Sequence, residues 1–270
     1  MSNLMARLAT AAVAVPLILA LMFAGPAWGW LVFVMVATAV GAHELFGMTY
    51  PGDNLARGVG IALTLGVVLG MWFGRQEPRW LLTAALLLPF ASILLALGRL
   101  KDIPSSALRL ASGTFGPMWL GMGMGATALI RVAGGDDGAG YLVLTFVLSW
   151  IGDTGGYFAG RAFGKHKLYE SVSPKKTVEG AMGGVAACVA GAVITHFAVL
   201  RSLPIRDAVI LGVLGSILGI FGDLGESLLK RSVGVKDSGG IVPGHGGILD
   251  RVDATMITSP LVLLYLIWFR

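Results

Sequence analysis

Charge is scarce in this chain of 270 residues. Asp, Glu, Lys and Arg make up 13% of it, 56% of the residues are hydrophobic, and the mean hydropathy is +0.80. Soluble domains carry roughly 25% charged residues, so the composition excludes an ordinary soluble globular protein. The apolar runs have the length of helices and do not alternate as strands do, which favours a helical integral membrane protein over a β-barrel.

Cysteine is almost absent as well, because Cys188 is the only one. A single cysteine excludes an intrachain disulfide and a metal site built from several thiolates. It lies in an apolar run, and we interpret it as a small buried side chain. Glycine is the opposite case, with 40 residues, and this abundance is typical of membrane helices that pack closely through small residues.

Nine apolar segments are long enough to cross the hydrocarbon core of a bilayer, which takes about 20 helical residues. We therefore predict an all-α, polytopic integral membrane helix bundle with about nine transmembrane helices. The first segment resembles a signal peptide, but further spans follow it, so we interpret it as a retained helix. The predicted spans are residues 5–25, 27–48, 56–74, 80–98, 106–131, 140–162, 179–200, 206–230 and 253–269.

Positive charge is distributed unevenly between the connections of these spans. With the N-terminus in the cytoplasm, 14 of the 20 Lys and Arg residues fall on the cytoplasmic side and 6 on the other. This asymmetry satisfies the positive-inside rule and predicts a cytoplasmic N-terminus. It also explains the pI of about 9.6 without nucleic acid as a partner. Of the 15 acidic residues, 11 crowd the same side, and the topology rule does not require them there.

The two halves of the chain differ in polarity. The first half is nearly free of functional polar residues, and we expect residues 1–135 to form a transmembrane scaffold and an oligomer contact region. The longest cytoplasmic connections, residues 163–178 and 231–252, are rich in Gly, Lys and Ser. We therefore expect residues 136–270 to form a transmembrane region that carries the catalytic site.

Three polar clusters lie at the predicted cytoplasmic face. The first is SWIGDTGGYFAGRAFGKHK, in which Asp153 interrupts an apolar span and should face the bundle interior, where a cation or a donor meets it. The second, SPKKTVEG, precedes a predicted helix start, where free N–H groups favour anions. The third is the long stretch GDLGESLLKRSVGVKDSGGIVPGHGGILDRVD.

The third cluster combines acidic, basic and glycine residues. Asp223, Glu226, Ser227 and Lys230 have the spacing of one helix face. Several oxygen ligands without cysteine indicate a hard cation such as Mg²⁺, whereas lysines, arginines and exposed glycine N–H groups indicate a phosphate-rich ligand. The combination predicts phosphoryl or nucleotidyl transfer.

Each of these residues also has a structural explanation. Lysines in a cytoplasmic loop most often serve topology, Asp153 alone could pair with a lysine, and His245 alone is more often a hydrogen-bonding loop residue. The glycines of the third cluster could form turns. These explanations account for single residues, but poorly for the crowding of three residue types in the same two loops.

The spacing within the third cluster carries a resemblance to a known family. Residues 227–253 closely resemble the signature of the phosphatidate cytidylyltransferases, also called CDP-diacylglycerol synthases, with Val242 as one small departure. The other two clusters also look like family segments, so that the resemblance covers residues 149–255. The matching signature residues are Ser227, Lys230, Arg231, Lys236, Asp237, Gly239, Pro243, His245, Gly246, Gly247, Asp250, Arg251 and Asp253.

What the resemblance implies is a reaction in which CTP and phosphatidic acid give CDP-diacylglycerol and pyrophosphate. The implied cofactor is Mg²⁺, alone or with a second cation, because two anions that must meet need shielding. The implied protein is a multi-pass enzyme of the cell (inner) membrane, surrounded by membrane lipids, with its active site facing the cytoplasm and with a homodimer as its assembly.

The resemblance also implies roles for particular residues. Asp223 and Asp250 are expected to bind the metal, with Asp253, Asp237 or Asp153 as further ligands or supporting residues. Asp223, Asp250, Lys230, His245 and Arg251 are expected to act in catalysis, His245 by bonding a phosphate or orienting an Asp. The expected substrate-binding residues are Ser173, Lys175, Lys176, Thr177, Ser227, Arg231, Lys236, Gly246 and Gly247, and Lys230 and Arg251 also hold phosphates.

Three other functions share part of this pattern. A lipid-alcohol kinase that uses CTP has the same kinds of substrate but lacks the full signature. A secondary transporter predicts charges near the mid-membrane and an inverted repeat, and the sequence shows neither. A CDP-alcohol phosphotransferase needs its own Asp-rich motif, which the stretch DGAGYLVL, beginning at Asp137, does not provide.

Overall fold

The computed structural model describes residues 12, 15–100, 102–240 and 246–270. In this part of the chain the regular structure is helical except for one two-stranded antiparallel ribbon. The chain divides into two compact units, formed by residues 1–129 with 237–251 and by residues 130–236 with 252–270. The predicted helical architecture is confirmed, the ribbon was not predicted, and the functional division at residue 135 stays a prediction.

The first unit consists of apolar helices joined by short turns. Asp53 and Asp102 each precede a helix and accept a hydrogen bond from the backbone N–H three residues further on, which caps that helix. Residues 15–23 are also helical. The helices are α1 (Ala27–Thr49), α2 (Asn54–Gly74), α3 (Arg79–Gly98) and α4 (Ile103–Gly116), which continues through a π-helical turn (Pro117–Gly121) into α5 (Met122–Ala133).

The second unit combines long helices with the ribbon. The two strands pair Lys167 with Thr177 and Tyr169 with Ser173. A 3₁₀ turn (Gly135–Asp137) leads into α6 (Gly138–Phe146), a π-helical turn (Val147–Ile151) and α7 (Gly152–Phe163). The ribbon strands β1 (Lys167–Tyr169) and β2 (Ser173–Thr177) follow, and then α8 (Val178–Val199), α9 (Ile205–Ser232) and α11 (Thr255–Phe269). The single turn α10 (Leu249–Val252) precedes α11, and its first three residues belong to the first unit.

Seven helical segments among the described residues are long and apolar enough to cross a membrane, which makes the chain a polytopic membrane protein. Of the nine predicted spans, the one over residues 5–25 is described only at residue 12 and from residue 15 onward. Residues 106–131 fall within a continuous helix over 103–133 that is not among the seven, because its glycines, serines and two arginines reduce its hydropathy. The count of nine and the orientation of the N-terminus stay predictions.

Helices α7 and α8 pack through small residues. A methyl group on Gly155 would collide with Ala187, and one on Gly183 would collide with Ala159. The interpretation of glycine as a packing residue is confirmed for these two helices. Cys188, also on α8, is buried as interpreted.

A buried ion cluster holds the turns of the first unit together. Asp53 lies between α1 and α2, and its carboxylate contacts Arg109 at 2.6 Å and Arg99 at 3.0 Å. Tyr50 donates its hydroxyl hydrogen to the carbonyl oxygen of Arg109 at 2.6 Å. Hydrogen bonds, first from Arg99 and then from Ala56 N–H and Arg109, lower the pKa of Asp53 to about 2 although burial opposes this. The cluster therefore joins the α1–α2 turn to the end of α3, through Arg99, and to α4, through Arg109.

We expect Asp53→Asn to lower the free energy of unfolding at pH 7 by about 3 kcal/mol, because it leaves buried Arg109 without its charged partner. Since the pKa of Asp53 is depressed in the folded state, its contribution is complete above the ordinary carboxyl pKa of 3.8 and is lost as the pH falls toward 2. Thermal unfolding in detergent from pH 7 to pH 3 should show the two proteins converging in acid.

The matched control for this experiment is Asp102→Asn. Asp102 is exposed and caps α4, and asparagine caps a helix about as well as aspartate does. The unfolding temperature of this variant should lie within a degree or two of that of the unaltered protein. This corresponds to a change in the free energy of unfolding of roughly 0.5 kcal/mol or less. Equal unfolding temperatures for Asp53→Asn and the unaltered protein at pH 7 would contradict the role of the ion cluster.

Candidate functional site

In the first unit, Asp250 binds two backbone N–H groups among the described residues 237–240 and 246–251, which we call the signature loop. Its Oδ2 atom accepts the backbone N–H groups of Ser238 at 3.2 Å and of Gly247 at 3.0 Å. Gly246 has a φ of +80°, a conformation that favours glycine. The loop backbone therefore orients the carboxylate that was predicted to bind the metal.

Other predicted residues of the signature loop have different surroundings. Asp237 and Arg251 are exposed. Gly247 donates its N–H to Asp250, so this group is engaged within the loop. His245 lies outside the described residues. The predicted roles of these four residues in binding and catalysis stay predictions.

The first unit also contains a carboxylate that the sequence analysis missed. Glu44 lies on α1 and is only 4% exposed. Its Oε2 atom accepts the N–H of Leu249 at 2.8 Å and the hydroxyl of Ser238 at 3.4 Å. The signal for it was available, because Glu44 interrupts an apolar span just as Asp153 does. Glu44 therefore belongs with the signature loop and not with an inert scaffold.

In the second unit, two of the polar clusters meet at Asp223. Lys176 of β2 places its Nζ atom 2.6 Å from Asp223 Oδ2 on α9. Ser227, one turn further along α9, donates to Asp223 Oδ1 at 3.3 Å. Both partners of Asp223 are residues for which a role in substrate binding was predicted.

The polar face of α9 continues from Asp223 toward the end of the helix. Lys230 lies 2.8 Å from Glu226, which is 1% exposed. The contacts between Asp223 and Ser227 and between Glu226 and Lys230 are both of the i,i+4 kind. The predicted sharing of one helix face is therefore confirmed.

Asp253 is the most enclosed of the predicted metal ligands in the second unit. It is buried, and its Oδ1 atom accepts the N–H of Ala254 at 2.7 Å. The negative charges of Asp223 and Asp153 both act on it, and so does the positive charge of Lys230. Asp223 and Asp153, two predicted metal ligands, thus lie within electrostatic reach of Asp253, the third one in the second unit.

Asp153 itself does not lie where we expected it. It was predicted to face the bundle interior, whereas the structure leaves it exposed. Helix α7 turns its glycines toward α8, and Asp153, three residues before Gly156, lies at the edge of that face, where it remains exposed. The prediction of an interior Asp153 was therefore wrong, although its charge still acts on Asp253.

The ribbon and the start of α8 account for the second cluster. Thr177 accepts the N–H of Gly180 at 3.1 Å and so caps α8, which confirms the predicted helix start. Glu179 accepts the backbone N–H of Lys165 at 3.0 Å and that of His166 at 3.2 Å, which fastens the preceding segment. The remaining predicted substrate-binding residues are fully or partly exposed, and they are Ser173, Lys175, Arg231 and Lys236.

The donor set of the second unit suits a hard cation. Asp223, Asp253 and Asp153 supply only carboxylate oxygens, and Mg²⁺ commonly uses one or two carboxylates together with water and substrate phosphates. Among the described residues, no group of three or more His, Cys, Asp or Glu residues is placed so that it could hold a metal ion by itself. Binding of Mg²⁺ by these carboxylates therefore stays a prediction.

The tight packing of the signature loop leads to a prediction about Gly247. We expect Gly247→Ala to lower the unfolding temperature by several degrees, because the added methyl group would lie 2.5 Å from Glu44 Oε2 and would also collide with the Ser238 hydroxyl. Gly240→Ala is the matched control, since a methyl group there meets nothing within 4 Å. Equal unfolding temperatures for the two variants in detergent would show that the loop is looser than described.

Nearly the whole chain is similar to one known protein family. Residues 5–269 match the family model described as the cytidylyltransferase family. A phosphatidate cytidylyltransferase of Staphylococcus haemolyticus is 46% identical over 131 residues, which cover 48% of this chain and 50% of that protein. The phosphatidate cytidylyltransferase of Haemophilus influenzae is 44% identical over 123 residues, which cover 44% of this chain and 43% of that protein.

A plant relative matches a longer part of the chain. Phosphatidate cytidylyltransferase 5, chloroplastic, of Arabidopsis thaliana is 33% identical over 264 residues, which cover 87% of this chain and 65% of that protein. The chain thus spans about half the length of the bacterial relatives named above and less than two thirds of the plant relative.

Proposed function

This chain belongs to the cytidylyltransferase family, and we propose that it transfers CMP from CTP to phosphatidic acid. The products are CDP-diacylglycerol and pyrophosphate. The observation that carries this proposal is the 2.6 Å ion pair between Lys176 and Asp223, because it joins two of the polar clusters that resemble the family signature. The relatives' names, phosphatidate cytidylyltransferase, support the same reaction.

The proposed reaction needs no general base from the protein. The lipid phosphate is already an anion near neutral pH, and one of its oxygens forms a bond to the α-phosphorus of CTP. The bond from the α-phosphorus to the bridging oxygen breaks, and pyrophosphate leaves with that electron pair. The protein's task is to bring two anions together and to stabilise the leaving group.

The basic residues carry out that task in this proposal. Lys176 and Lys230 are each held by a carboxylate, at 2.6 and 2.8 Å, so their ammonium groups have fixed positions from which to bind phosphates. Arg231 and Lys236 supply further positive charge in the second unit, and Arg251 supplies it in the first. Neutral side chains at these positions would leave the repulsion between the two substrates unscreened.

Asp223 and Asp253 are the proposed ligands of Mg²⁺ in the second unit, with Asp153 nearby, and Asp250 and Asp237 are the proposed ligands from the signature loop. When bound, Mg²⁺ or a second cation neutralises the phosphates and the leaving pyrophosphate. Support comes from the oxygen-only donor set and from the mutual repulsion of the carboxylates, which a cation would relieve.

The setting of the reaction is part of the same proposal. We infer nine spans, a cytoplasmic N-terminus and an active site that faces the cytoplasm of a cell (inner) membrane, where CTP meets a lipid headgroup. The excess of Lys and Arg on one side supports this orientation. We also propose a homodimer, since the exposed apolar face of α3, which includes Leu86, Phe90 and Leu94, suits a helix partner as well as lipid.

Purified protein in detergent with phosphatidic acid, labelled CTP and Mg²⁺ should form CDP-diacylglycerol and pyrophosphate, and EDTA should abolish both products. We expect Asp223→Asn to lower the rate at least 100-fold, on the order of 3 kcal/mol of transition-state stabilisation. Asp207→Asn is the matched control, because Asp207 lies at the opposite end of α9, where it accepts a hydrogen bond from Tyr265. That variant should keep nearly full activity.

Other results of this assay would replace the proposal. Transfer of a phosphate from CTP to a lipid alcohol would assign the chain to the lipid-alcohol kinases. No transfer of either kind by folded protein would favour the transporter interpretation. Full activity in the presence of EDTA would remove magnesium from the proposal.

The ion pair at Asp223 leads to a second prediction. We expect Lys176→Gln to raise the KM for CTP by about tenfold, because a phosphate loses a positioned cation worth on the order of 1.4 kcal/mol. Lys165→Gln is the control, since Lys165 is an exposed lysine of the same connection and only its backbone N–H has a described contact. A KM that responds equally to both substitutions would mean that the connection acts only through its overall charge.

A further inference from the structure

We propose that Glu44 is a positioning residue, which holds the signature loop so that Asp250 has the orientation the reaction needs. The inference rests on the proposed function, because it assigns a role within the same site. It concerns a residue of the first transmembrane region, where the sequence analysis expected only scaffold. Glu44 acts through Asp250 and is not itself proposed to contact a substrate.

The contacts of Glu44 converge on two places in the loop. Its Oε2 atom accepts the Leu249 N–H at 2.8 Å, and Leu249 immediately precedes Asp250. The same oxygen accepts the Ser238 hydroxyl at 3.4 Å. Glu44 therefore holds the backbone next to Asp250 and, at the other end of the loop, the residue whose N–H also binds Asp250.

Ser238 links the two carboxylates directly. Its backbone N–H donates to Asp250 at 3.2 Å, while its hydroxyl donates to Glu44. Gly247 completes the arrangement by donating its N–H to Asp250 at 3.0 Å. Displacement of the loop from Glu44 would therefore move the two donors that orient Asp250.

Glycines in the loop make room for Glu44. A methyl group on Gly239 would lie 2.5 Å from Glu44 Oε1, and one on Gly247 would lie 2.5 Å from Glu44 Oε2. Neither glycine has a φ in the left-handed region, so backbone conformation does not require glycine at either place. The close approach of the Glu44 carboxylate does require it.

If Glu44 only stabilised the fold, its burial would have an unfavourable free energy that its contacts do not fully offset. Its side chain is buried, and Glu44 Oε1 has no hydrogen-bond partner within the described residues. A buried carboxylate with an unsatisfied oxygen normally destabilises a fold. Asp53, a carboxylate buried in the same unit, has two arginines around it. The contrast indicates that Glu44 is kept for what it holds and not for stability.

The test compares Glu44→Ala and Glu44→Gln with the unaltered protein in the CTP transfer assay over a range of Mg²⁺ concentrations. We expect Glu44→Ala to lower kcat by about tenfold and to raise the Mg²⁺ concentration that gives half the maximal rate by about tenfold. Loss of a residue that orients a metal ligand typically has effects of this size. Glu44→Gln keeps an oxygen that can accept the Leu249 N–H, so it should recover most of both. If Glu44→Ala fails to fold, Glu44→Gln is still compared with the unaltered protein in the same assay.

Asp53→Asn is the matched control, because it alters a buried carboxylate of the same unit outside the signature loop. It should lower the unfolding temperature and leave the Mg²⁺ dependence of folded protein unchanged. The proposal is overturned if Glu44→Ala keeps the unaltered kcat and Mg²⁺ dependence, or if its loss of activity merely follows its loss of folded protein.

Hydrogen exchange separates failure of this inference from failure of the proposed function. If the unaltered protein does not transfer CMP, the proposed function fails, and the role of Glu44 in that reaction fails with it. The anchoring itself is then judged by exchange of the Leu249 N–H. Faster exchange in Glu44→Ala than in Asp53→Asn supports the anchor, and equal exchange in the two variants overturns it.

Discussion

Burial of a carboxylate among apolar helices costs free energy unless hydrogen-bond donors or cations surround it. Asp53 has two arginines, Glu226 has Lys230, and Glu44 has donors from the signature loop. Asp53 and Glu44 each join a helix to a turn or a loop. Glu226 and Lys230 lie one turn apart on the polar face of α9. The apolar residues form the helices, but the paired acids determine which connections are held in one conformation and can therefore carry chemistry.

Local rules explain what could be predicted from the sequence. The helices that were found as spans have long apolar stretches, and length and hydropathy together identify these. The shared face of Asp223 and Ser227 follows from helical spacing, which depends on four consecutive peptide units and not on the rest of the fold. The family resemblance could be recognised because its fixed positions lie within one continuous segment. The match of residues 5–269 to the family confirms it.

Features that depend on distant residues could not be predicted in the same way. Glu44 and Ser238 lie far apart in the chain, and no spacing rule connects them, so the carboxylate was assigned to scaffold. The exposure of Asp153 depends on which face of α7 packs against α8. The ribbon is short, charged and exposed, and it lacks the alternating pattern by which strands are recognised. The helix over 103–133 has the length of a span, but its hydropathy is too low to decide whether it crosses the membrane.

The π-helical turn at Val147–Ile151 lets one extra residue into a span that runs over Gly135–Phe163. Each residue of an α-helix adds about 100° of rotation, so the side chains on the two sides of the turn are out of phase. Ser149 within the turn is buried against Thr258 at 2.7 Å, whereas Asp153 just beyond it is exposed. The π-helical turn therefore sets the direction in which the residues after it point relative to the residues before it. A single inserted or deleted residue there would turn Asp153 in another direction while leaving the residues before the turn in place.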